Sequence, residues 1–240
     1  MAEAKRDFPL YREMPGLSVA GWLFVLAAGF AGYLALFAPI PGTVGGFAKA
    51  LLYSVIPLTA LAMVAGAGWR SLFDRVRISD IALMLGFAIL NLLVTGVIGY
   101  LVVKVHGGVA NPLNAELAAS STTGLLLELA RAAVQLVGEE IMTILPFLAI
   151  LTLCVRAWSW SRRSAILAGW IGSSLLFGAA HLPTYGWEVA QCFVVIGAAR
   201  IVLTIPYLIT RNLWVSYGAH LINDVALFAT PLALSALHVP

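Results

Sequence analysis

Seven stretches of the chain, near 17–40, 46–68, 79–103, 123–156, 164–183, 188–210 and 213–231, are apolar, and short polar connections separate them. About 20 helical residues at 1.5 Å each cross a hydrocarbon core roughly 30 Å thick, so stretches of this length read as membrane-spanning helices. The pattern predicts an all-α, polytopic transmembrane bundle of about seven spans, a single membrane-embedded domain over 1–240. The fourth stretch is too long for one perpendicular crossing, because its 34 residues would reach about 50 Å. It is expected to break, or to follow an interfacial helix near 123–135 in which Glu128 and Arg131, three residues apart, share a face and pair. The connection 104–123 holds Gly107, Gly108, Asn111, Pro112, Asn114 and a Ser-Ser-Thr-Thr run, and it reads as an outer loop without regular structure.

Charge adds a direction to this picture. Lys5, Arg6, Arg12, Arg70, Arg75, Arg77, Arg156, Arg162, Arg163 and Arg211 fall on one side of a seven-span arrangement, with only Lys49 and Lys104 on the other. The excess of basic residues faces the cytoplasm in such proteins, so the N-terminus is expected there, in a plasma (inner) membrane. The polar stretch 1–16 precedes an apolar run too long for the core of a cleaved signal, so 17–40 is expected to remain as the first span. Trp22, Trp69, Trp158, Trp160, Trp187 and Trp214 lie near predicted span ends, where indole rings anchor at the interface.

Composition agrees. Charged residues make up 10% of the chain and apolar ones 61%, whereas soluble domains carry roughly 25% charge. The net charge of +3 is dispersed among short loops, so the basic patch of a nucleic-acid binder is absent. Cys154 and Cys192 lie in apolar stretches and read as small core residues rather than a disulfide. His106 and His238 read as solvated, and Glu188 beside Trp187 as an interfacial charge.

Against this apolar background four ionisable residues stand out inside spans: Glu139, Glu140, Arg200 and Asp224. Each costs about 2.5–3.5 kcal/mol to insert, so they must pair, protonate or line a wet cavity. Adjacent carboxyls on a helix point about 100° apart, so one of Glu139 and Glu140 can face a site while the other supports it. The doublet reads either as a structural cluster satisfied by Arg200 or as a catalytic or ion-binding pair. Phe177 and His181 lie four apart on one helix face, with Gly178, Ala179 and Ala180 allowing close helix approach. His181, followed by Pro183, reads as an interface residue or a functional one. His220 and Asp224 repeat the spacing, with Asn223 near that face and Tyr217 a turn earlier. A carboxylate beside an imidazole either stabilises a helix or fixes the tautomer of a working histidine.

The ordered set, Glu-Glu on one helix, Phe-x-x-x-His on a later one and His-x-x-x-Asn/Asp on the last, resembles the family of CAAX proteases and bacteriocin-processing enzymes (CPBP, or Abi, proteins) over roughly residues 120–230. The resemblance implies an all-helical membrane bundle with its site in a cavity, and a glutamate-dependent intramembrane protease acting on a membrane-anchored or lipidated substrate. By position it implies that Glu139 and His181 activate water, and that His220 and the residue at Asp224 stabilise the oxyanion. Two residues depart from the family pattern. Its Glu-Glu-x-x-x-Arg motif has Ile144 at the Arg position, leaving Arg200 as a replacement in space. Asp224 stands where many members have Asn, and an ionised carboxylate only accepts hydrogen bonds, so Asp224 would orient His220 or Asn223 would supply the donor.

Peptide hydrolysis needs a base, oxyanion donors and a wet pocket, and these residues supply the first two. No cofactor is expected, although the histidines and carboxylates outnumber the ligands zinc requires, which keeps a metal open. Two other readings compete: a non-catalytic immunity or scaffold relative, favoured by Ile144, and a proton-coupled transporter, disfavoured because no internal repeat is visible. In straight spans His181 would lie near the outer face and His220 within about 10 Å of the inner one, which strains the expectation of a shared site.

Overall fold

In the computed structural model residues 7–11 and 17–237 are described, with side chains described as far as 228. The chain folds into helices throughout this range: α1 (Val19–Ala35), α2 (Gly42–Ala65), α3 (Ile78–His106), α4 (Pro112–Ala119), α5 (Thr122–Arg156), α6 (Arg162–Ala180), α7 (Gly197–Thr210) and α8 (Leu213–Leu237). A 3-10 segment, Gly66–Leu72, extends α2, and a π-helical turn, Gln191–Ile196, leads into α7. Among the described residues four helical stretches are long and apolar enough to cross a membrane: Gly42–Leu72, Ile78–His106, Thr122–Arg156 and Gln191–Thr210. With the shorter apolar α1 beside them, they make the protein an integral membrane protein.

The seven predicted stretches correspond to α1, α2, α3, α5, α6, the Gln191–Thr210 helix and α8. Two expectations need correction. The stretch 123–135 is not a separate piece, because α5 runs unbroken for 35 residues, through Pro146. It can do so because it is the central helix: 72% of its apolar window is buried, against 17% for α3, and it packs on α6, α2, α8 and α1. The connection 104–123 is not wholly irregular either, since it contains α4, whose N-cap Asn111 accepts from the Leu113 N–H ahead of Pro112 in the first turn. That is the chemistry of a helix start, which the Gly, Pro and Asn content obscured. The Glu128–Arg131 pair forms as expected, at 2.6 Å.

Close helix contacts are made by glycines. A Cβ on Gly138 would strike the ring of Tyr53 on α2, one on Gly169 would lie 2.8 Å from the Phe147 carbonyl oxygen, and one on Gly218 would collide with Met84 on α3. Cys154 and Cys192 are buried and unbridged, and His106 is exposed at the end of α3; His238 lies outside the described residues. Trp22 is buried rather than interfacial, while Trp158, Trp160, Trp187 and Trp214 are exposed.

Among the described basic residues grouped from sequence, Arg156, Arg162 and Arg211 reach the segment that precedes α1; Lys5, Arg6 and Arg12 lie outside the described residues. Arg156 Nη1 reaches the Leu17 carbonyl at 3.5 Å, and Asn212 bonds the backbone of Asp74. The Arg211 guanidinium lies 3.9 Å from the Phe8 ring centroid. Residues 7–11 form a strap here, with Phe8, Leu10 and Tyr11 buried in the main core. Arg162 Nη2 donates to Asp7 at 2.5 Å, and the Tyr11 hydroxyl donates to the same carboxylate at 2.7 Å.

Burial raises the Asp7 carboxyl, but hydrogen bonds from Tyr11, Arg162 and the Phe8 N–H outweigh it and hold the group below its usual 3.8. A carboxyl depressed by folding stabilises the strap above the free aspartate range and loses that effect as the pH falls through its folded value. Because the pair is partly exposed, its worth is about 1 kcal/mol or less. Lowering the pH below about 4 is expected to speed amide hydrogen exchange of residues 8–11 relative to the core, and Asp7→Asn is expected to remove most of that pH dependence.

Candidate active site

The doublet on α5 divides its two carboxyls between different surroundings, as the 100° helical step requires. Glu140 is fully buried, and Arg200 of α7 binds it through two bonds, Nη1 to Oε1 at 2.6 Å and Nη2 to Oε2 at 3.1 Å. The same Oε1 accepts from Nδ1 of His220 on α8 at 2.9 Å. Arg200, also 0% exposed, sends Nε to the Thr204 hydroxyl at 3.1 Å and lies 5.2 Å from the Phe177 ring centroid. Glu140 thus takes its counter-charge from α7, while Ile144 is a buried core residue. The π-helical turn before α7 adds a residue to one turn and so resets the face on which Arg200 projects.

Glu139 turns to the other side and lines a cavity of about 570 Å³ together with His181, Arg200, His220, Asn223 and Asp224. Its Oε1 accepts from Gln135 Nε2 at 3.0 Å, Gln135 Oε1 accepts from Arg131 at 3.3 Å, and Arg131 pairs with Glu128. This polar row climbs one face of α5 at intervals of three and four residues, the spacing of a helical stripe. A second cavity, about 390 Å³, shares Glu139 and His181 and is also lined by Tyr33, Lys49, Arg131 and Gln135.

His181 follows the last residue of α6. Its Nδ1 lies 2.8 Å from the Phe177 carbonyl oxygen, which can only accept, so Nδ1 carries the proton and Nε2 holds the lone pair of the neutral ring. Phe177 explains how the two histidines share a site despite their different depths: its centroid is 4.5 Å from His181 and 6.2 Å from His220. Gly178 permits this by packing on the π-helical turn, where a Cβ would lie 2.6 Å from the Cys192 carbonyl oxygen. On α8, Asp224 sits one turn beyond His220, with Oδ1 3.7 Å from His220 Nε2, too long for a hydrogen bond. Asn223 Nδ2 donates to Asp224 at 2.9 Å. Tyr217 stays off the cavity wall and ties α8 to α5 through the Ala133 carbonyl at 3.1 Å.

Three lining residues escaped the sequence reading. Gln135 carried a signal, four residues before Glu139 on a polar stripe. Tyr185 lies four beyond His181, their rings 6.3 Å apart; burial, then the charges of Asp224 and Glu139, push its phenol up to about 12, so it remains a donor at the cavity rim. Asn91 of α3 also lines the cavity. Among the described residues no three His, Cys, Asp or Glu side chains converge as a metal cage would require.

Residues 121–226 match the model of the family described as type II CAAX prenyl endopeptidase Rce1-like. Over these residues the chain is similar to that family. The match spans a little under half of the sequence, taking in Glu139, Glu140, His181, Arg200, His220 and Asp224 and leaving out α1, α2 and α3. It agrees with the motif resemblance and supports a CAAX-type intramembrane protease as the general class. No curated protein and no solved structure matches the chain.

Within the matched region the buried ion cluster predicts a stability asymmetry. Arg200→Met leaves Glu140 as an uncompensated charge and is expected to cost about 3–5 kcal/mol. Removing both charges in Glu140→Leu/Arg200→Met is expected to be less damaging than Arg200→Met alone. Thermal unfolding of the three proteins in one detergent measures the difference.

Proposed function

We propose that the protein is a glutamate-type intramembrane endopeptidase that cleaves a peptide bond in a membrane-anchored or lipidated substrate. The observation that carries this reading is that Glu139, His181, His220, Asn223 and Asp224 line one cavity, of a size within the roughly 300–1,000 Å³ of ligand clefts. Glu139 takes a proton from water, with His181 Nε2 orienting or sharing that proton. The hydroxide oxygen attacks the scissile carbonyl carbon, and the negative charge moves to the carbonyl oxygen. Donors for that oxyanion are the Asn223 amide and His220 Nε2. An N–H on Nε2 requires a ring protonated on both nitrogens, a cation that would lie between the carboxylates of Glu140 and Asp224. Collapse of the tetrahedral intermediate breaks the C–N bond, and the proton held by Glu139 or His181 goes to the leaving amine. Glu140 and Arg200 take no proton in this scheme; they hold His220 in place.

An apolar hollow of about 420 Å³ supports the lipid-anchored part of the reading. It lies between α1, α2, α5 and α6, and Tyr33, Tyr53 and Ala180 belong to both it and the second polar cavity. A hydrocarbon chain seated there would place its attached peptide beside Glu139.

Glu139→Ala and His181→Ala each truncate a group on the cavity wall and are expected to lower cleavage about 10²–10⁴-fold while leaving the melting temperature near that of the wild type. Proteomics of membrane peptides from cells carrying wild-type or Glu139→Ala protein checks this, the expected result being an uncleaved precursor in the variant. Unchanged cellular effects in both variants, with no precursor, would favour the non-catalytic relative; ion flux in liposomes without cleavage would favour a transporter.

A further inference from the structure

We infer that Asn91, on α3 and outside the matched core, is a positioning residue that fixes which way the Asn223 amide faces and so keeps its N–H groups directed at the reacting oxygen. The inference rests on the hydrolase reading above and assigns it an additional residue. Asn91 lies in the run Ile89-Leu90-Asn91-Leu92-Leu93 of a mostly lipid-facing helix, yet it is only 1% exposed and lines the cavity. Its Nδ2 lies 2.9 Å from Asn223 Oδ1, and Asn223 Nδ2 lies 2.9 Å from Asp224 Oδ1.

The direction of this chain follows from its last member. An ionised carboxylate only accepts, so the group Asn223 turns toward Asp224 is its NH₂. Its carbonyl oxygen must then face α3, and only a donor can meet it there, which Asn91 provides. One N–H of Asn223 is committed to Asp224; the other remains for substrate. Reversing the amide would put an oxygen beside Asp224 and remove the donor. Gly218, against which Met84 packs, lets α3 approach α8 closely about two turns below this contact.

Stability alone gives a poor account of Asn91. Its Oδ1 is buried without a hydrogen-bond partner among the described residues, a condition that costs folding free energy.

Reversal of polarity tests the inference. Asn91→Asp keeps the shape but presents only acceptors, so Asn223 must flip. Asn91→Leu removes the donor at similar volume, and Asn91→Ser keeps a hydroxyl donor. In Asn91→Asp/Asp224→Asn the flipped Asn223 carbonyl meets a new amide at 224, whose second N–H replaces the lost donor. The readout is the ratio of uncleaved to cleaved precursor, the precursor being the membrane peptide that accumulates in cells carrying Glu139→Ala, with melting temperatures measured on every purified variant. Asn91→Asp and Asn91→Leu are expected to raise the ratio at least tenfold, Asn91→Ser less, and the double variant is expected to recover at least tenfold relative to Asn91→Asp. Wild-type processing in Asn91→Leu and Asn91→Asp, or losses that simply add in the double variant, would overturn the inference while leaving the hydrolase reading standing. Absence of any precursor in Glu139→Ala cells would overturn both. A fall in melting temperature that tracks the processing loss across all four variants would reduce Asn91 to a packing residue.

Discussion

The bidentate contact between Glu140 and Arg200, with His220 bound to the same carboxylate oxygen, is the constraint on which the rest of the bundle's polar interior depends. Two charges with no exposure are tolerable only if their attraction and hydrogen bonds offset the several kcal/mol per ion lost on leaving water. The geometry meets that condition from three directions, since α5 supplies the acceptor, α7 the fork of donors and α8 the imidazole. A hydrophobic contact between these helices would tolerate sliding, whereas a planar guanidinium on a planar carboxylate does not. The cluster therefore sets the rotation of all three helices about their axes, and every cavity-lining group on them inherits its position from it.

Glu139 is the clearest beneficiary. With Glu140 locked inward, the neighbouring carboxyl has to emerge about 100° around the helix, on the face bearing Gln135 and Arg131. His220 is held in the same way. Its Nδ1 is taken by Glu140, so the chemistry left to the ring resides on Nε2, next to Asp224. His181 reaches a similar state by a different route, its Nδ1 being engaged by a backbone carbonyl of its own helix. Both imidazoles thus present a single defined nitrogen, which is what a site that moves protons through specific atoms needs.

Much of this was legible in the sequence because helical spacing converts directly into direction. The Glu doublet and the two intervals of four carry their geometry with them, and the separation of Glu139 from Glu140 follows from the helical step alone. What spacing could not carry is distance between helices. Whether Arg200 would meet Glu139, Glu140 or neither depends on the tilt of α7 and on the π-helical turn before it, and nothing in Gln191–Ile196 announces that turn. The apparent mismatch in depth between His181 and His220 arose from treating spans as straight and equal, while the structure closes the gap through the Phe177 ring. The strap 7–11 was read as part of a polar terminus, and its buried Phe8, Leu10 and Tyr11 show that charge nearby hid an apolar segment. Asn91 had a signal, a single amide in an apolar run, but without a partner in view it could not be told from an isolated polar residue.

The placement of Asn91 also bears on how much of the chain makes the site. The family match begins at α5, and all the motif residues lie inside it. Yet the cavities beside Glu139 have walls from outside the match: Tyr33 of α1, Tyr53 of α2 against Gly138, and Asn91 of α3 against Asn223. In the proposed scheme the amide donor is Asn223, one residue before Asp224 and about 100° around α8, and its oxygen meets Asn91, a side chain outside the matched region. On that proposal a residue of the matched region is coupled to a helix beyond it, because an amide directs its N–H groups at an oxyanion when its oxygen is held on the far side.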